Sequence, residues 1–200
     1  MQLTFQSPQE HRTDPKKDVH NCYTYGYWNV ELDFSDWDLS KELAREDVWR
    51  PEFPGSEGRQ TVNPEGSDIL NNFCQTFDQN KHMLVSQAFN DFNELFGYRW
   101  FKGLDFYINN TNILTTIFKD RVGFSCPPHL DNSHIILQLI INLMDNGTGT
   151  EFYDYLSAEP FAQGSSQQGQ GVAFLNMPGS IHGVRNITQT RYILYSQITI

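Results

Sequence analysis

The sequence predicts a mainly β domain in which supporting helices come first and a β-roll follows. Three observations predict it. Apolar residues recur at spacings of three and four only between about residues 67 and 97. After Gly97 the spacing falls to two, in short runs separated by Gly, Asn or Pro. Finally, 200 residues can bury a core of their own, and an aromatic content of 14% argues for a packed chain rather than a disordered one.

Taken in order, residues 1 to about 20 are polar and suit a loose arm or an edge strand. Cys22 to Phe34 mixes aromatic and β-branched residues and reads as a strand. Asp47 to Gly66 holds three prolines and three glycines, which predicts a long loop with a lid as its candidate role. Ser67 suits a helix N-cap, followed by Ile69, Leu70, Phe73 and Phe77 on one face. A second helix is expected over Leu84, Val85, Ala88, Phe89, Phe92 and Phe96, ending at Gly97. Their aromatic stripe reads as core.

Beyond Gly97, Leu104, Phe106 and Ile108 alternate, and Asn109 to Asn112 reads as a turn. Strands are expected over Ile113–Lys119, Phe124–Cys126, Ile135–Leu143, Thr150–Tyr155, Gly171–Leu175 and Arg191–Ile200. Gln163 to Gly171 reads as a short polar linker. So many short strands imply an antiparallel sandwich or barrel.

The formal net charge is -10, the wrong sign for a chain that must neutralise phosphates, and this weighs against nucleic acid as a partner. Three cysteines without CxxC spacing fit a reducing compartment. The first seventeen residues lack the apolar core of a signal peptide. The longest apolar run, Ile135 to Met144, is broken by Gln138 and Asn142 and falls short of the ~20 residues a spanning helix needs. A soluble, cytoplasmic protein with no membrane partner is expected.

Chemistry concentrates in two stretches. In PPHLDNSH (Pro127 to His134), His129 and Asp131 stand two apart, so an extended strand points both to one face. Such a pair is common by chance and leaves an ordinary turn open as the alternative. The C-terminal stretch adds His182 among small residues and, nine positions later, Arg191. Two histidines and one carboxylate form the facial triad that holds non-haem Fe(II) with open coordination positions. An arginine fork matches a carboxylate. His134 and Arg185 compete for these roles less well: His134 falls on the opposite strand face or past a turn, and Arg185 is only three residues after His182. Cys126 reads as a buried structural thiol, and His11, His20 and His82 as surface or capping residues.

His129-x-Asp131, GTGTEF (Gly147 to Phe152), GVAFL (Gly171 to Leu175) and HGVRNITQTRY (His182 to Tyr192), in this order, resemble the 2-oxoglutarate- and Fe(II)-dependent dioxygenases of the prolyl-hydroxylase-like branch. The resemblance spans about residues 98 to 200. It implies a double-stranded β-helix, the cupin-like jelly roll, with helices packed on one sheet. The chain would be a single domain over 1–200, with N-terminal strands, loop and supporting helices in 1–97 and the catalytic core in 98–200. The resemblance assigns His129, Asp131 and His182 to iron and Arg191 to the distal carboxylate of 2-oxoglutarate. O2 would be the other cosubstrate, ascorbate a candidate reductant, and succinate and CO2 the co-products. A peptidyl or free amino-acid side chain, or a small metabolite, would be the substrate. Many relatives add a hydroxyl to the distal carboxylate. Lys119 stands roughly where they often carry tyrosine, and Tyr107, Thr116 and Gln138 are further candidates. Asn132, Ser133 and Asn176 lie near enough in sequence to orient the histidines. Two features depart from the pattern: Gly-Thr-Gly stands in place of a Gly-Gly pair, and the first 97 residues match nothing. The rival reading is a non-catalytic β-roll binding or accessory protein.

Overall fold

The structure, a computed structural model, describes residues 1–12, 24–54, 56, 58–63, 65–80, 82–87, 90, 109–154, 159–176, 180–185 and 187–199, with the backbone alone at 7–12 and 24–26. The expected alternation at Leu104 to Ile108, the helix residues Ala88, Phe89, Phe92, Phe96 and Gly97, and Cys22 and Tyr107 lie outside them.

Period-two runs become twelve strands among the described residues: β1 (Gln2–Arg12), β2 (Thr24–Asp33), β3 (Trp49–Pro51), β4 (Arg59–Val62), β5 (Asn112–Asp120), β6 (Cys126–His129), β7 (Ile135–Asn142), β8 (Glu151–Tyr153), β9 (Pro160–Gln163), β10 (Gln170–Leu175), β11 (Ile181–Val184) and β12 (Arg191–Thr199). They form a large sheet in the order β1-β2-β10-β7-β12-β5-β4-β3 and a small one in the order β6-β11-β8-β9. Every pairing is antiparallel. The fold is mainly β, a jelly roll with supporting helices. The polar start of the chain is an edge strand, β1, rather than a loose arm.

Helix α1 (Ser40–Leu43) is short, and α2 (Asp68–Asp78) is the main supporting helix. Ser67 caps α2 as expected, its Oγ accepting from the Leu70 N–H at 3.2 Å. The spacing of Leu70, Phe73 and Phe77 buries all three against one face of the large sheet, where Leu137, Leu139, Ile141 and Leu194 meet them. Residues 82–87 are also helical, and Leu84 and Val85 join the same core.

Two expectations fail for tertiary reasons. The stretch 47–66 is not one long loop. Its ends pair as a β3–β4 hairpin, and β4 adds to the free edge of β5, satisfying backbone groups a loop would leave to water. Gln163 to Gly171 is no free linker. Asn142 Nδ2 donates to the carbonyls of Ser165 and Gln170, both at 2.8 Å, and the turn closes on Gly169 at φ +77°. Among the described residues, no helix is long and apolar enough to cross a membrane.

Candidate active site

The opposite face of the large sheet looks across to the small sheet, and a cavity of about 580 Å³ opens between them. Its lining includes His129, Asp131, His182 and Arg191 together. Residues 129 and 191, far apart in the chain, thus meet in one space.

His129 closes β6 and pairs across the ladder with His182 on β11. The register shifts just beyond this pair, and Gly183 allows it: a Cβ there would lie 2.7 Å from the Cys126 carbonyl oxygen. Pro127 and Pro128 leave two of the four β6 residues without an N–H, and β6 lies at the sheet edge, where that is tolerated. The strand ends at His129, so Asp131 does not share a strand face with it. Asp131 instead turns inward from the following loop. Asn176 Nδ2 pins that loop by donating to the carbonyls of Asn132 at 2.9 Å and Ile135 at 3.1 Å.

The ligand-type atoms of His129, Asp131 and His182 all lie within 4.8 Å of one another. His129 Nε2 is 3.5 Å from Asp131 Oδ1, and His182 Nε2 is 3.2 Å from Asp131 Oδ2. Each ring is aimed by its other nitrogen: His129 Nδ1 lies 2.9 Å from the Pro127 carbonyl, and His182 Nδ1 3.0 Å from that of Ser180. With Nδ1 turned to a carbonyl in each ring, Nε2 is the atom that faces the carboxylate and that a cation would take in place of a proton. Backbone carbonyls therefore do the orienting expected of Asn132, Ser133 and Asn176. Gln138 Nε2 donates to Asp131 Oδ2, and Tyr195 fixes the direction of that amide by donating to Gln138 Oε1 at 3.0 Å.

The electrostatics of the cluster are uneven. A hydrogen bond to Asp131, helped by Cys126, raises the His129 pKa to about 10. Burial pushes His182 the other way, toward the neutral imidazole. Burial alone would raise Asp131, but the His129 hydrogen bond and the field of His182 outweigh it and hold the carboxyl below its ordinary range.

At the inner end, Arg191 opens β12 and is 2% exposed. Its Nη2 donates to Thr150 Oγ1 at 3.1 Å, its Nη1 is 3.7 Å from Asp120 Oδ2, and its Nε is buried with no partner among the described residues. Burial lowers its pKa to about 10, against the pull of Asp120, and the guanidinium stays charged at neutral pH. A buried, charged donor left unpaired is costly unless an acceptor arrives, so this end of the cavity is built for an anion.

The remaining sequence candidates divide. Thr116 lines the cavity but bonds Thr61 Oγ1 at 2.9 Å. Lys119 points to the helix side of the sheet, paired with Glu46 at 2.6 Å and set near Trp49 and Tyr192. His134 sits in an exposed turn, and Arg185 pairs with Glu151 and Glu159 off the cavity lining. Cys126 is not fully buried: it lines the cavity with Sγ 3.6 Å from His129 Nδ1. Thr150, Asp120 and Arg59 were not singled out in the sequence. Thr150 lay in the GTGTEF motif without a role, while Asp120 and Arg59 had no local signal.

No family model matches the sequence, and no curated protein does. Solved structures do. A prolyl-4-hydroxylase from Pseudomonas putida superposes at a TM-score of 0.52 and 15% identity, covering 88% of this chain and 92% of its own. A prolyl hydroxylase from Trichoplax adhaerens, in complex with a peptide fragment of the hypoxia inducible factor oxygen degradation domain, gives 0.50 and 12%, covering 80% and 74%. The chain has the prolyl-hydroxylase fold. At these identities the likeness is one of architecture, and at 88% of the chain it reaches beyond the stretch from about 98 to 200 that carried the resemblance in sequence.

Proposed function

We propose that this chain is an Fe(II)- and 2-oxoglutarate-dependent dioxygenase that hydroxylates a peptidyl or free amino-acid side chain or a small metabolite. The carrying observation is one cavity lined both by a His-Asp-His cluster and by a buried, under-paired guanidinium. The donor set fits ferrous iron: two imidazoles present Nε2, a carboxylate stands between them, and no thiolate competes within the cluster. His129, Asp131 and His182 would hold the metal. When bound, ferrous iron supplies the oxygen activation that couples decarboxylation of 2-oxoglutarate to oxidation of a C–H bond.

The chain's own groups do the rest. Arg191, whose side chain lines the cavity, receives the distal carboxylate, and Thr150 holds the fork in place. Gln138, steadied by Tyr195, fixes the Asp131 carboxylate. Phe118, Ile140 and Ile193 give the cavity apolar walls that limit water around a bound oxo acid. The peptide bound to the Trichoplax structure and the exposed Phe53 and Leu114 at the cavity lining favour a peptidyl side chain over a small metabolite.

Anaerobic addition of 2-oxoglutarate to Fe(II)-loaded protein should give a weak metal-to-ligand absorption band, and admission of O2 with ascorbate should release succinate. No band on fully iron-loaded protein would overturn the proposal.

A further inference from the structure

Arg59 lies in the stretch that reads as a loop, yet it lines the cavity beside the anion end. The register explains its position. Asp120 is the ladder partner of Arg59 on one side and of Arg191 on the other. Three neighbouring strands, β4, β5 and β12, therefore set a positive, a negative and a positive side chain in one row on the cavity face. Asp120 is fully buried and cannot turn to water.

The two arginines are not equivalent. Arg59 grips Asp120 with its fork, Nε to Oδ1 at 2.5 Å and Nη2 to Oδ2 at 2.9 Å. Its guanidinium also packs over the Phe118 and Phe124 rings, at 4.8 and 4.6 Å from their centroids. Arg191 comes no closer to that carboxylate than 3.7 Å and makes no hydrogen bond with it. Each Asp120 oxygen thus accepts from Arg59 and neither accepts from Arg191. Without Arg59, the nearest donors to a buried aspartate would be those of Arg191.

We propose that Arg59 is a positioning residue: its fork holds the Asp120 carboxylate away from Arg191 and so keeps Arg191 open to a ligand carboxylate. This rests on Arg191 receiving 2-oxoglutarate. A fork that only stabilised the fold would make each single change harmful, Asp120→Asn included because it strands the Arg59 charge, and would lower affinity and melting temperature together. Occupancy of Asp120 by Arg59 makes a different forecast, because the harm of losing Arg59 comes from Asp120 itself.

The test is 2-oxoglutarate binding to the Fe(II)-loaded protein by anaerobic calorimetry, with iron affinity and melting temperature measured alongside. Arg59→Met should weaken binding about ten- to hundredfold, the scale of losing a charge-assisted hydrogen bond to a competitor. Asp120→Asn alone should bind at least as tightly as the wild type. Arg59→Met combined with Asp120→Asn should recover to within about threefold of the wild type, since the competing charge is gone. Arg59→Lys keeps the charge but not the fork and should fall between. If Arg59→Met does not fold, Asp120→Asn and Arg59→Lys still decide. Asp120→Asn binding more weakly than the wild type, or a double variant weaker than Arg59→Met, overturns the proposal while leaving the oxygenase reading intact. A wild-type protein that holds iron but binds no 2-oxoglutarate overturns both.

Discussion

The two faces of the large sheet are made by the same strands and share almost no chemistry. On β7, Leu137, Leu139 and Ile141 point to the helices, while Gln138 and Ile140 point to the cavity. On β12, Leu194 and Ile198 join the helix side, and Arg191, Ile193, Tyr195 and Gln197 face the cavity. One face is an apolar core closed by α2. The other carries a shared aspartate, two arginines and the amide that holds Asp131. The difference teaches a division of labour by pleat: alternate residues supply burial energy on one side and leave the other free for groups that could not fold a sheet by themselves.

Breaking each face should therefore break a different property. Asp131→Ala should have the largest effect, abolishing iron loading and turnover while the metal-free protein still melts cooperatively, because the change touches no helix-side contact and removes the pairing with His129. Iron content of the purified variant and succinate release check this. On the other face, Phe73→Ala removes a fully buried ring and should cost about 3–5 kcal/mol, a fall of roughly 10 °C or more in a calorimetric scan. Its remaining folded fraction should bind iron normally.

Arg191→Ala should raise the 2-oxoglutarate requirement about tenfold to a hundredfold with iron affinity near that of the wild type, since Arg59 still satisfies Asp120. Equal loss of both affinities would point to a collapsed cavity. Gln138→Leu sharpens the contrast within β7 itself. It keeps the strand's apolar packing but leaves Asp131 without its amide donor, and iron affinity should fall about tenfold.

The smallest effect separates the two histidines by pH. In metal-free protein the raised His129 pKa makes its pairing with Asp131 stabilising throughout the range below about 6.5. That contribution fades as pH rises toward about 10, where the imidazole loses its proton in the folded state as well. On the acid side, the lowered Asp131 pKa keeps its own contribution present above the ordinary carboxylate range and loses it as pH falls below. Melting temperature of the metal-free protein should drop between pH 7 and 10, and Asp131→Asn should flatten that slope.

Much of this was legible in the sequence because it is local. The alternation in 135–142 and 191–199, the Ser67 cap and the aromatic stripe of α2 all follow from neighbours along the chain. His129, Asp131, His182 and Arg191 stood out through the motifs that carry the family resemblance, and the fold brings all four to one cavity, though not through the shared strand face that the spacing of His129 and Asp131 predicts. What escaped depends on register. Arg59 meets Asp120 across 61 positions of sequence through a hairpin whose strands are three and four residues long, too short to show a period. Ile181–Val184 hid in the same way, since Gly183 and His182 carry no strand preference and their pairing is decided by β6 and β8. Lys119 shows the opposite failure: its position along the chain matched a family site, but the pleat turned it to the helix face.

The two prolines of β6 reach beyond the site they border. A rim that offers carbonyls but lacks amide hydrogens at Pro127 and Pro128 cannot zip onto an incoming extended peptide, nor onto the same rim of a second molecule. A polypeptide reaching the cavity past β6 would present a projecting residue end-on rather than pair with that strand, and this border of the small sheet is guarded against edge-to-edge aggregation.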